Sequence, residues 1–212
     1  MKGLLIVVDG IDGSGKHTQV LALKKHFEHK GLKVKTISFP RYDHFFGKLA
    51  GDLLKGKLGD FGGISPYLGA LPYALDRREA REQMISWLKK GYVVLADRYV
   101  SASLAFQAAK LPQGKQAKFI SWLNKLEYEI HGLPKEDLVI LLDVPITISQ
   151  KWLKKEKQKD EAEKNIAYQQ KVAQVYRRLV KRFTHWHLIK ASGTIEEVTE
   201  RILAKIKLQL DN

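Results

Sequence analysis

The sequence predicts an α/β protein, a three-layer α/β/α sandwich around a five-stranded parallel sheet, on two observations. Short apolar runs of strand length recur along the chain, the first of them (3–9) without polar alternation, and a segment of helical period follows each. A run without polar alternation suits a strand covered on both faces. Repeated strand-then-helix order requires crossover connections, hence parallel strands between two helical layers.

The elements can be justified in order. "GLLIVVD" (3–9) is the first strand. From Lys16 to Lys30, residues Val20, Leu21, Leu23 and Phe27 recur at helical spacing, and Gly31 stops the helix. "KVKTISF" (33–39) is the second strand, ended by Pro40. Ser65 and Pro66 read as the N-cap and first residue of a long helix reaching Lys90, in which Pro72 predicts a kink. "YVVLAD" (92–97), "LVILLD" (138–143) and "HLIK" (187–190) are the third, fourth and fifth strands. The last helix opens at Thr194 with Glu197 three residues on, a capping box. No linker, repeat or low-complexity tract divides residues 1–212, so one domain is expected, and the lysine-rich stretch 151–164 is the candidate mobile segment.

Composition narrows the function. Hydrophobic residues make up 44% and charged residues 28%, as in folded soluble proteins. The absence of cysteine excludes disulfides and thiolate metal sites. No apolar run is long enough to span a bilayer, and Leu4 to Val8 is too short for a signal-peptide core, so a cytoplasmic protein is expected. The formal charge of +14 favours anionic partners, nucleic acid or phosphorylated small molecules. With no zinc-finger spacing or RNP-like motif, and much of the excess in "KWLKKEKQK" (151–159), nucleic acid is the minority reading.

"GIDGSGKHT" (10–18) lies between the first strand and first helix, which is the setting of a phosphate-binding loop. Gly10, Gly15 and Lys16 match G-x-x-x-x-G-K-[ST]; His17 stands where a hydroxyl is usual, and Thr18 follows one place late. In such a loop, backbone N–H groups and the helix N-terminus surround phosphate oxygens, and the lysine reaches the β- and γ-phosphates. Gly10, Gly13, Ser14, Gly15, Lys16, His17 and Thr18 are therefore the candidate ATP-binding residues. Mg²⁺ tolerates the loss of one hydroxyl, because phosphates, waters and a carboxylate can complete its shell. Asp97, at the end of the third strand, is the candidate carboxylate.

With "FPRYD" (39–43), "YALDRR" (73–78) and "DRYVSASLAFQAAK" (97–110), the loop resembles the thymidylate kinase family in order and spacing. The resemblance extends over nearly the whole chain, to "IKASGTIEEVTERI" (189–202). It implies a P-loop NTPase fold, usually as a homodimer, and Mg²⁺-dependent phosphorylation of dTMP by ATP. It implies that Asp12 meets the acceptor's 3′-hydroxyl and that Arg98 grips its monophosphate, with Arg41 a second candidate. It places Phe39 and Tyr73 against the base, Arg77 at thymine O4, and Ser103 and Gln107 among the further base contacts. Lys16, Arg98, Asp97 and Asp12 are the catalytic set so implied.

The departures are specific. Gly13 puts the chain in the version that supplies cations from a lid, yet its lid (about 151–164) holds lysines such as Lys151, Lys155 and Lys159 and no arginine. Asp160 and Glu163 resemble the acidic pair after the lid, candidates to share the metal, with Tyr168 one turn further. The backbone of "KASGT" (190–194) is expected along the adenine. Tyr73, Phe106 and the pair Ala108–Ala109 differ from the family's usual residues and leave open another pyrimidine acceptor such as dUMP. His17, the arginine-free lid and the charge leave a third reading, a catalytically weakened nucleotide- or nucleic-acid-binding protein, against which Lys16, Asp97 and Arg98 speak.

Overall fold

A computed structural model describes residues 3–59, 63–153 and 165–210. Its sheet has five parallel strands: β1 (Leu4–Gly10), β2 (Val34–Ser38), β3 (Val93–Asp97), β4 (Leu138–Asp143) and β5 (Trp186–Lys190). Their spatial order is β2-β3-β1-β4-β5, with β1 in the middle. Val8 is in register with Asp97, and Gly10 with Leu142, so the carboxyl ends of the three central strands open on one edge. Ligands of open α/β sheets bind at that edge.

The helices among the described residues are α1 (Lys16–His29), α2 (Phe45–Leu54), α3 (Pro66–Lys89), α4 (Val100–Ala108), α5 (Gln113–Asn124), α6 (Ile146–Leu153), α7 (Ile166–Arg182) and α8 (Ile195–Leu210). None is long and apolar enough to cross a membrane. Side chains alternate across a strand, and this divides β1 between two cores. Ile6 and Val8 pack with Val20, Leu23 and Phe27 of α1 and Val198 and Ile202 of α8. Leu5 and Val7 pack on the other face with Met84 of α3, Leu104 of α4, Phe119 of α5 and Val172 of α7. Both faces of β1 are buried, which is why its sequence shows no polar alternation.

Two helix starts were marked in the sequence, and one of them is capped by its side chain as expected. Thr194 and Glu197 form the reciprocal capping box, with the Glu197 N–H donating to Thr194 Oγ1 at 3.2 Å and the Thr194 N–H to Glu197 Oε2 at 3.0 Å. Ser65 holds the N-cap position of α3, but its hydroxyl caps no backbone N–H; Pro66 at the start sets the backbone instead. Pro72 lies within α3 without ending it. The sequence reading did not foresee that α5 runs on into a π-helical turn, Lys125–Ile130.

Candidate active site

The loop after β1 is built on left-handed glycines. Gly13 has φ +70°, and a Cβ there would sit 2.7 Å from the Ser149 carbonyl and 2.6 Å from Leu153 Cγ. The loop is thus pressed against α6, and no larger residue fits at 13. Gly15 caps α1 with φ +84°, and among the described residues nothing beyond its own neighbours crowds the space a side chain would take, so conformation demands glycine there. Lys16 is buried and bends back over the loop, donating from Nζ to the carbonyls of Ile11 at 2.8 Å and Gly10 at 3.3 Å. Burial, helped by the charge of Arg98, lowers its pKa to about 8 against the pull of Asp12, Asp97 and Asp9.

Asp9 supports this loop from below. It is wholly buried and accepts from the Gly10 N–H at 2.8 Å, the Tyr176 hydroxyl at 2.7 Å and the Ser101 hydroxyl at 2.5 Å. One carboxylate therefore joins β1 to α4 and α7. Burial raises its pKa, while Arg98, the two hydroxyl bonds and Lys16 hold the rise in check.

A second site faces the loop. Arg98 has φ +65°, a left-handed backbone that a non-glycine residue adopts only when its surroundings enforce it. Its guanidinium pairs with Asp12 and lies 5.1 Å from the centre of the Phe106 ring. Asp12 also accepts from Gln169 Nε2 at 2.6 Å. Burial pushes the Asp12 carboxyl up, but Arg98, Lys16 and Gln169 outweigh it and hold it below the usual range. This pair forms one wall of a cavity lined also by Phe39, Tyr42, Tyr73, Arg77, Tyr99, Ser103, Phe106 and Gln107.

The structure thus brings Asp12, Phe39, Tyr73, Arg77, Arg98, Ser103 and Gln107 to one cavity next to the loop. Arg41 is not among its lining residues. The carboxylates of α3 take its guanidinium: Nε donates to Asp76 Oδ1 at 2.9 Å and Nη2 to Glu79 Oε2 at 2.6 Å. His17 is exposed, its Nδ1 3.6 Å from Asp97 Oδ2, and Thr18 is exposed beside it. Lys151 lies exposed on α6. Lys155, Lys159, Asp160 and Glu163 lie outside the described residues, as does most of the expected lid. Tyr168, on α7, donates its hydroxyl to the Phe106 carbonyl at 2.6 Å. Asp9, Ser101, Tyr176, Gln169 and Glu127 escaped the sequence reading. Only Asp9 carried a signal, as a carboxylate ending a buried strand.

A glycine loop at the end of the central strand, facing a separate cavity across an aspartate–arginine pair, defines a P-loop phosphotransferase of the nucleoside monophosphate kinase type. Comparison with known proteins narrows the class. The thymidylate kinase family model matches residues 8–202. Over 212 residues the chain is 36% identical to a Pyrococcus abyssi protein named "Probable thymidylate kinase", covering 99% of this chain and 98% of that one. It is 35% identical over 184 residues to the thymidylate kinase of Mycobacterium tuberculosis, covering 83% and 85% of the two chains. A solved structure of thymidylate kinase from Candida albicans superposes with a TM-score of 0.81 at 26% identity, covering 98% of this chain and 92% of that one. The chain belongs to the thymidylate kinase family.

Proposed function

We propose that the chain transfers the γ-phosphoryl group of ATP to dTMP, yielding dTDP and ADP. One observation carries the acceptor assignment. Among the described residues Gln107 Oε1 is buried without a hydrogen-bond partner, and Arg77, which lines the same cavity, keeps one N–H donor uncommitted. Thymine offers the complement, an N3–H and the O4 acceptor; cytosine carries a donor amino group in place of O4. Phe39 and Tyr73 supply flat apolar surface for the ring.

In this reading Lys16 and the amides of residues 10–18 hold the β- and γ-phosphates. Arg98 takes the acceptor phosphate with a fork matched to its oxygens, and Asp12 accepts from the sugar 3′-hydroxyl. Arg41 anchors the turn after β2 to α3. Phosphoryl transfer needs positioning and charge neutralisation more than covalent help, and the site is provided with cations on both sides of the transfer path. Mg²⁺ fits the donor set: the Asp97 carboxylate is a hard oxygen ligand that would hold it, with water and phosphate completing its shell. Bound there, it would neutralise phosphate charge. His17, a nitrogen donor beside Asp97, does not replace the missing hydroxyl for so hard a cation.

The same reading makes the protein a cytoplasmic enzyme and a homodimer. Phe45 on α2 and Leu68 on α3 are 71% and 63% exposed, which supports a dimer surface on those helices. Gel filtration with light scattering tests it, with Leu68→Asp expected to give monomers.

The edges offered by Arg77 and Gln107 suit uracil as well as thymine, which favours dUMP as the second reading. A coupled assay with ATP, with and without Mg²⁺, against dTMP, dUMP, dCMP, UMP and dGMP decides. The highest kcat/KM is expected for dTMP, and preference for any other acceptor overturns the assignment.

A further inference from the structure

Arg77 is held from behind the cavity. Of the five N–H donors of its guanidinium, Nε donates to Glu127 Oε1 at 3.1 Å, and Nη2 donates both to that oxygen and to Ser103 Oγ, the latter at 2.9 Å. Nη1 donates to the Tyr99 carbonyl at 3.2 Å. Among the described residues this leaves one N–H, on Nη1, for a ligand.

Glu127 is wholly buried and sits in the π-helical turn after α5. Such turns are frequent at functional sites. Among the described residues its Oε2 has no hydrogen-bond partner, and His131 Nδ1 is 4.0 Å away. A buried ion pair with half of the carboxylate's capacity unused is a poor way to gain stability, because desolvation offsets most of the attraction. An apolar pair would fill this space at least as well.

We propose that Glu127 is a positioning residue for acceptor recognition, clamping Arg77 so that a single Nη1–H faces the 4-position of the pyrimidine. This rests on the reading of the cavity as the acceptor site. The clamp removes the freedom of the guanidinium before the base arrives, so a 4-oxo group is gained without further ordering and a 4-amino group meets a donor that cannot turn away.

Steady-state kinetics of Glu127→Gln test the proposal. The KM for dTMP should rise about tenfold, the size of a lost charge-assisted hydrogen bond. The preference for dTMP over dCMP should fall by about the same factor, with the KM for ATP unchanged. In an Arg77→Met background the substitution should add nothing further to either quantity. Glu127→Asp, which keeps the charge but withdraws the carboxylate by one methylene, should shift the same two quantities and serves if the glutamine variant does not fold. A purely structural role predicts a smaller active fraction, with kcat reduced equally for every acceptor and KM and preference intact; that result overturns the proposal. Absence of dTMP turnover in the wild type overturns the reading of the cavity and the proposal with it, whereas normal wild-type turnover with unshifted variants overturns the proposal alone.

Discussion

Lys16 carries its charge close to the edge of the physiological range. Buried and beside Arg98, it has a pKa of about 8. Below that value it is cationic and fit to receive a triphosphate; above it, neutral. The kcat/KM for ATP reports the free enzyme, so it should be level on the acid side of the Lys16 pKa and decline through it as one proton is lost. A profile flat through pH 9 would show that the lysine stays charged. His17 offers a second test. Because a nitrogen beside Asp97 serves Mg²⁺ poorly, His17→Ser should lower the Mg²⁺ concentration for half-maximal activity, by roughly several-fold; an unchanged requirement means that the hydroxyl is dispensable in this chain. Asp12, Arg98 and Arg77 stand in short motifs that could be located in the sequence, and the fold gathers them at one cavity. The partners of Arg41 could not be read there, because Asp76 and Glu79 lie on α3 and nothing local in "FPRYD" reveals them.

The capping box on α8 is the simplest element to test. Thr194→Ala removes one acceptor at the helix start and should cost about 1 kcal/mol of stability, measured by urea unfolding, with kcat unaltered. The helix bears on catalysis only through its mounting: the Thr199 hydroxyl donates to Gln19 Oε1 at 2.8 Å, and Gln19 Nε2 donates to the Ile195 carbonyl at 3.2 Å, so α8 steadies α1 behind the loop. A fall in kcat would show that this support reaches the phosphates. Helix boundaries were readable wherever a cap, a proline or a glycine marks them. The π-helical turn was not, because no cap, proline or glycine marks where α5 passes into it.

Across the molecule, Asp9 is the knot between layers. Its three donors come from the loop, α4 and α7, the farthest of them 167 residues from Asp9 in sequence. Asp9→Ala strands all three and should destabilise the fold by about 3 kcal/mol or more. Asp9→Asn should cost far less, since its carbonyl keeps the Gly10 and Tyr176 bonds and its amide can donate to Ser101. Equal losses in the two variants, by thermal unfolding, would mean that charge and not hydrogen bonding matters at this position.

Periodicity, punctuation and motif order were enough to establish parallel strands, intervening helices and a phosphate loop, because these follow from interactions within a few residues: side-chain alternation, caps and the φ > 0 that glycine permits. Strand order, the partners of Arg41, the network under Asp9 and the clamp on Arg77 were decided by packing. Each joins residues tens of positions apart, and a carboxylate such as Glu127 looks like any other in the chain until the fold removes it from water and sets it against a guanidinium.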